Sequence, residues 1–234
     1  RFKNNKFTKL FEPIAEMYML PRYNELDLTP FFAPFYMIFF GLSLGDIGYG
    51  VFLFVVATVM RIVKKDSLGK SMRGILALMQ ILGISAFFCG LLTGGFFGFQ
   101  IYDIQHPFFQ KLKSIIFLDN NQMFILALLL GVVQIMFGLL MKIGNRTKQF
   151  GFKHSLSTIG WFVFMLSIGV AYLFPKAMPM FGTVHLIVVG AAAILIFLFN
   201  SPGKNPLFNM GLGLWDTYNM ATGLLGDILS YVRL

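Results

Sequence analysis

The strongest constraint on this chain is a set of long apolar runs that contain no Asp, Glu, Lys or Arg. There are four such runs: Gly74–Phe99, Met123–Met141, Ser155–Phe174 and Phe181–Phe199. The hydrocarbon core of a bilayer is about 30 Å thick and takes roughly 20 apolar helical residues to cross. None of the runs alternates polar and apolar residues as a half-buried strand does. We therefore predict four membrane-spanning helices.

The composition excludes several other classes of protein. Of the 234 residues, 57% are hydrophobic and 12% are charged, whereas a soluble domain has about twice that share of charge. This excludes a soluble single-core enzyme and a disordered tail. The single Cys89 excludes a disulfide framework and a multi-cysteine metal site. No cofactor is expected, and because Arg1 is not Met we expect a piece of a longer chain.

A fifth apolar run, Phe31–Met60, is too long for one simple span. Its 30 residues would make a helix of about 45 Å. Four glycines and Asp46 occupy its middle, within Gly41–Gly50. Glycine weakens a helix, and a carboxylate at the centre of a bilayer is costly. The run is therefore either one interrupted helix or a hairpin of two short helices.

The distribution of Lys and Arg decides between these two possibilities. If the run crosses once, the two sides of the membrane carry 8 and 10 cations; if it enters and returns, they carry 15 and 3. Cytoplasmic loops are enriched in Lys and Arg, so the hairpin is strongly preferred. The net charge of +9 is then mainly a signal of membrane orientation, and we expect no nucleic-acid partner.

The predicted fold is an all-α polytopic membrane protein. It consists of the helical hairpin, four spans and a seventh helix that starts near Leu212 and is cut off at the end of the chain. Residues 1–29 are predicted to be a cytoplasmic linker, and residues 30–234 a membrane domain that is incomplete at its C-terminus.

Arg233 is the most informative single residue because it follows a helix that is otherwise apolar enough to lie within a membrane. An arginine at bilayer depth costs roughly 2.5–3.5 kcal/mol and cannot lose its proton. At about 100° per residue, the positions nearest its face of the helix are small or polar; they are Asn219, Thr222, Gly226 and Ser230. We interpret them either as a narrow seam along an ion path or as ordinary close packing against a fixed neighbour.

Two carboxylates share a different face of the same helix. Asp216 and Asp227 are 11 residues apart and so point in the same direction to within about 20°. Asp227 lies some 9 Å and Asp216 some 25 Å from Arg233 toward the predicted cytoplasmic end. The pair could form a path for proton entry. Alternatively, Asp216 is a carboxylate at the helix N-terminus, stabilised by the helix dipole.

Four sequence motifs resemble the membrane half of the rotary-ATPase stator a subunit, which is called subunit I in bacterial V/A-type ATP synthases. The first two are the linker from Phe11 to Asp27 and the hairpin motif Thr29–Gly50. The third is the glycine motif Gly90–Gly98, and the fourth is the arginine-bearing helix end Leu225–Leu234. The resemblance covers about Glu12 to Leu234 and is specific only when the four are taken together.

The resemblance implies a function that the residues alone do not show. In this family eight membrane helices, with the arginine on the seventh, form two offset proton or sodium half-channels against a rotating proteolipid ring. By this resemblance Arg233 faces the carboxylate of the ring, with Asn219 and Ser230 on the same face. Asp216 and Asp227 lie toward the cytoplasmic half-channel and Asp46 toward the outer one. The implied partners are the ring, the central-stalk and peripheral-stalk subunits and the lipid of a bacterial inner membrane.

Two other functions remain open from the sequence. Leu44–Ile47 and Leu225–Ile228 both read Leu-Gly-Asp-Ile, so an intramembrane aspartyl protease with Asp46 and Asp227 as its carboxylates is one alternative. Such an enzyme needs the two carboxylates in direct contact. The other alternative is a secondary transporter with broken helices near the bilayer midplane.

Overall fold

The computed structural model describes residues 4–18, 22, 25–176, 179, 181–200 and 203–233. These residues are predominantly α-helical, which confirms the predicted all-α class. The helices are α1 (Glu12–Tyr18), α2 (Thr29–Leu44), α3 (Ile47–Val63), α4 (Lys70–Thr93), α5 (Pro107–Ile116), α6 (Asn120–Phe150), α7 (Leu156–Leu173), α8 (Thr183–Leu198) and α9 (Pro206–Val232).

Length and apolar character identify the membrane-crossing helices among the described residues. Three are long and apolar enough to cross a bilayer: Lys70–Thr93, Asn120–Phe150 and Phe152–Leu173. Three shorter apolar helices are α2, α3 and α8. With α9, these make the hairpin, four spans and seventh helix that the sequence predicts, so the chain is a polytopic membrane protein.

The structure divides into two compact units. Among the described residues, the first unit contains 4–18 and 27–127, and the second contains 22, 25–26 and 128–233. The first unit therefore holds the hairpin, α4 and α5, and the second holds α7, α8, α9 and most of α6.

The hairpin in the first unit is built on α4. Gly45 adopts a left-handed conformation with φ of 47°, which glycine tolerates without penalty, and α3 starts two residues later. Both limbs pack along α4 and make at most marginal contact with each other. The Ser85 hydroxyl donates to the carbonyl of Met37 on α2 (2.6 Å), and the Gln80 amide donates to Thr58 on α3 (2.7 Å). The fourth helix thus shelters both short limbs.

Glycines allow α3 and α4 to approach closely. A Cβ atom at Gly50 would lie 2.6 Å from the Phe87 nitrogen, and one at Gly83 would lie 2.8 Å from the Gly50 carbonyl oxygen. Real Cβ atoms do not come this close to backbone, so the two helices meet backbone to backbone. Such small-residue contacts are the usual basis of tight helix packing in membranes.

Two elements differ from the sequence predictions. α9 begins at Pro206, six residues before the predicted start near Leu212. Proline suits the first position of a helix, because its fixed φ angle is helical and the N–H that it lacks would have no partner within the helix. The connection between the predicted spans Gly74–Phe99 and Met123–Met141 contains a helix, α5, that the sequence did not predict. Before α5 lies a two-stranded hairpin whose strands, β1 (Gly95–Phe96) and β2 (Phe99–Gln100), pair antiparallel.

Candidate functional site

Arg233 lies at the C-terminal end of α9. It caps the helix, and its backbone N–H points to the carbonyls of Ser230 and Tyr231. Its side chain is exposed, and among the described residues no carboxylate forms an ion pair with it. The guanidinium therefore places a positive charge on the surface of the second unit.

The small and polar positions near Arg233 are also exposed. Asn219, Thr222, Gly226 and Ser230 all have exposed side chains or backbone. A Cβ atom added at Gly226 would meet nothing within 4 Å. Both interpretations of this stripe, an ion path and close packing against a neighbouring helix, stay predictions.

Tyr231, a residue absent from the predicted site, packs the end of α9 against α6. Its hydroxyl donates to the Gln134 side-chain oxygen on α6 (2.7 Å). Its ring occupies the space where Gly131 lacks a side chain, since a Cβ there would lie 2.5 Å from the ring. The local sequence signal of this contact is Gly131, which precedes Gln134 by three residues in an otherwise apolar helix. Tyr231 thus positions the helix turn that carries Arg233.

The two aspartates of α9 have different surroundings. Asp216 accepts a hydrogen bond from the side-chain amide of Asn200 (2.7 Å) and acts electrostatically on Lys142 of α6. It lies ten residues into the helix, so stabilisation by the N-terminal dipole, which acts over the first turn, does not account for it. Asp227 is exposed and lies one turn before Tyr231, on the same side of the helix.

The carboxylate of Asp46 is buried and bound by backbone N–H groups. It caps the N-terminus of α3, where Oδ1 accepts from Tyr49 (3.1 Å). The tip of the β1–β2 hairpin supplies two more donors: Phe97 N–H to Oδ1 at 2.9 Å and Gly98 N–H to Oδ2 at 3.1 Å. Both oxygens are engaged, which gives no support to a dyad of two carboxylates sharing a proton, as an aspartyl protease requires.

The hairpin tip adopts a strained conformation in order to reach Asp46. Phe97 has φ of 49° and Gly98 has φ of 83°, the pattern of a two-residue turn with left-handed central residues. This conformation is uncommon for an aromatic residue. It turns two successive N–H groups toward the same anion, the arrangement called a nest. The hydrogen bonds that Phe97 and Gly98 donate to the Asp46 carboxylate stabilise this uncommon backbone conformation.

The structure therefore groups some predicted site residues and separates others. Arg233, Asp227 and Asp216 lie along one continuous helix of the second unit, together with Asn219 and Ser230. Asp46 belongs to the first unit. Within the described ranges, no group of three or more His, Cys, Asp or Glu side chains could hold a metal ion.

Comparisons with known proteins give consistent matches. Residues 1–110 match the model of the V-type ATPase 116 kDa subunit family. The A-type ATP synthase subunit I of Methanocaldococcus jannaschii is 28% identical, over 99% of this chain and 37% of its own length. The same subunit of Methanothermobacter thermautotrophicus is 33% identical, over 99% of this chain and 32% of its own length.

A bacterial relative matches as well. The V-type ATP synthase subunit I of Borreliella burgdorferi is 25% identical, over 92% of this chain and 37% of its own length. The chain thus spans about a third of the length of these curated relatives.

Proposed function

This chain belongs to the V-type ATPase 116 kDa subunit family, and from that premise we propose that it is the ion-conducting membrane part of the stator subunit I of a V/A-type ATP synthase. In this role it forms proton or sodium half-channels against a proteolipid ring. It is a component of the complex and not itself the catalytic subunit.

One observation carries the proposal. α9 ends in an exposed arginine, and a stripe of exposed small or polar residues leads to that arginine along the helix. A helix in lipid gains nothing from exposing Asn, Thr and Ser, whereas such residues let a second helix approach closely and hydrogen-bond to it. The ring helix that bears the ion-carrying carboxylate is the partner we propose for this stripe.

The charges on α9 have distinct proposed roles. A cation beside a carboxylate favours its ionised form, so Arg233 keeps the approaching ring carboxylate deprotonated and blocks a direct leak between the half-channels. Asp227, about 9 Å from Arg233 along the helix axis and about 120° around it, lines the cytoplasmic half-channel. Asp216, which accepts a hydrogen bond from Asn200, lies at the mouth of that half-channel.

Asp46 has a different proposed role within the same function. It was expected to lie toward the outer half-channel. Because three backbone N–H groups occupy its oxygens, we propose that it shapes the wall of that half-channel rather than carrying an ion. Asn219 and Ser230 act as polar contacts on the ring-facing stripe.

The proposed partners and location follow from the same assignment. They are the proteolipid ring, the central-stalk and peripheral-stalk subunits, and the lipid of the plasma membrane, which in a bacterium is the inner membrane. The relatives with this subunit name come from archaea as well as from a bacterium.

Cysteine cross-linking tests which face of α9 meets the ring. We would place Ser230→Cys and Ile228→Cys separately in the assembled complex, in a Cys89→Ala background, opposite a cysteine next to the ring carboxylate. Ser230 lies on the face of Arg233, and Ile228 lies about 140° around the helix and is also exposed. The proposal predicts cross-linking from Ser230→Cys only. Equal cross-linking, or cross-linking from Ile228→Cys alone, would contradict it.

A further inference from the structure

The short helix α5 separates apolar from polar residues, a pattern that ion translocation does not explain. At about 100° per residue, its five large apolar side chains fall within a third of the helix circumference, and its polar ones cover the opposite side. The apolar residues are Phe108, Phe109, Leu112, Ile115 and Ile116, and the polar residues are Gln110, Lys111, Lys113 and Ser114.

Only part of the apolar face is used inside the first unit. Phe109, Leu112 and Ile116 are half-buried. Phe108 remains 62% exposed and Ile115 71% exposed, and they lie on the same edge of the helix, two turns apart. Phe99, which is 77% exposed, adds a further exposed apolar side chain on the preceding hairpin.

The depth of α5 is fixed by the last turn of α4. The Tyr102 hydroxyl, just before α5, donates to the carbonyl of Leu91, and the Leu118 N–H, just after it, donates to the carbonyl of Leu92 (2.9 Å). These carbonyls are acceptors that the end of a helix leaves unpaired. Gln110 ties α5 itself to the carbonyls of Tyr102 and Ile104. The helix is therefore held at the level where the α4 span ends.

The two lysines of α5 lie on the predicted side of the membrane that has few cations elsewhere in the chain. Only three cations fall on the predicted non-cytoplasmic side, and two of them, Lys111 and Lys113, are on this helix. Lys111 flanks the exposed apolar edge. A basic rim beside an apolar edge, at the depth of a span end, matches the phosphate and upper acyl layers of a bilayer.

From these observations we infer that α5 is an interfacial helix. Phe108 and Ile115 insert into the outer leaflet of the bilayer, and Lys111 and Lys113 lie at the phosphates of anionic lipids. The proposal is independent of ion translocation, because it concerns how the first unit sits in the membrane.

Spin-label accessibility tests the insertion. Nitroxides would be attached singly at Phe108→Cys and Ile115→Cys, with Ser114→Cys as the matched control on the polar face. The complex would carry Cys89→Ala and be reconstituted in phosphatidylcholine vesicles with phosphatidylglycerol. We expect labels at 108 and 115 to collide mainly with membrane-dissolved oxygen, at a depth of about 5–10 Å, and the label at 114 to collide mainly with a water-soluble nickel chelate.

Two results would overturn the inference. Nickel access at all three positions would mean that the edge faces water, and exclusion of both reagents from 108 and 115 would mean that protein covers it. The lipid charge is tested with Lys111→Gln/Lys113→Gln. In the parent protein the labels should lie deeper when phosphatidylglycerol is present than in pure phosphatidylcholine, and the double variant should lose that difference. If phosphatidylglycerol changed the label depth equally in the parent protein and in the double variant, the role of the lysines would be refuted.

Discussion

Asp46 and Arg233 both place a charge where the surrounding sequence is apolar, yet the structure treats them in opposite ways. Asp46 is 7% exposed and satisfied by backbone N–H groups from α3 and from the β1–β2 hairpin. Arg233 is exposed and has no carboxylate partner among the described residues. A charge satisfied internally stabilises the fold, whereas a charge left open is suited to act on a partner.

Replacing Asp46 should therefore affect folding more than transport. Asp46→Ala leaves three part-buried N–H groups without their acceptor, and a hydrogen bond to a charged group contributes about 1.5–3 kcal/mol. Asp46→Asn keeps one acceptor oxygen and should lose less stability. The measurement is the thermal unfolding midpoint of the purified complex, with Asp103→Ala, an exposed aspartate between α4 and α6, as the unchanged control. Loss of pumping by a stable, assembled Asp46→Asn complex would instead identify Asp46 as an ion carrier.

The sequence predicted these two residues as notable but could not separate their roles. Arg233 is interpretable because its helix is continuous, so spacing alone places Ser230 and Gly226 beside it. The partners of Asp46 come from Phe97 and Gly98, about fifty positions later. No local pattern reveals that Phe97 adopts a left-handed conformation.

At the scale of elements, α3 and α4 depend on glycines that face each other. Gly83→Ala should separate the two helices, because the new Cβ would press on the Gly50 carbonyl. Overpacking of this kind costs about 1–3 kcal/mol. Gly74→Ala is the matched control on the same helix: it has open space around it and should gain up to about 1 kcal/mol in helix propensity.

The check is denaturant unfolding of the detergent-solubilised protein. Equal stability of the Gly83→Ala and Gly74→Ala variants would show that the close approach of α3 and α4 does not matter.

The elements were predictable where charge or length constrained them. The hairpin followed from the asymmetry of Lys and Arg, and the structure confirms it through the antiparallel packing of α3 and the parallel packing of α2 along α4. α9 begins at Pro206, before the predicted start near Leu212, and its Asn209 is buried and donates to the carbonyl of Leu198. α5 was missed because ten residues are too few for a membrane span.

At the scale of the whole molecule, the orientation in the membrane remains a prediction with a direct test. Ser67 lies between α3 and α4, on the side with fifteen cations. Ser67→Cys should react with a membrane-impermeant maleimide only from the cytoplasmic side, and Ser114→Cys on α5 only from the outside. Labelling of Ser67→Cys from the outside would invert the predicted orientation or remove the hairpin.

The central claim is that Arg233 acts on an ion-carrying carboxylate of a partner ring, and ATP-driven ion pumping by the assembled complex tests it most directly. Arg233→Ala removes the cation that keeps that carboxylate ionised, so we expect assembly to be retained and pumping to be abolished. Arg73→Ala, which removes an exposed arginine whose side chain donates to the Lys65 carbonyl, should pump normally. Preserved pumping by Arg233→Ala would contradict the account.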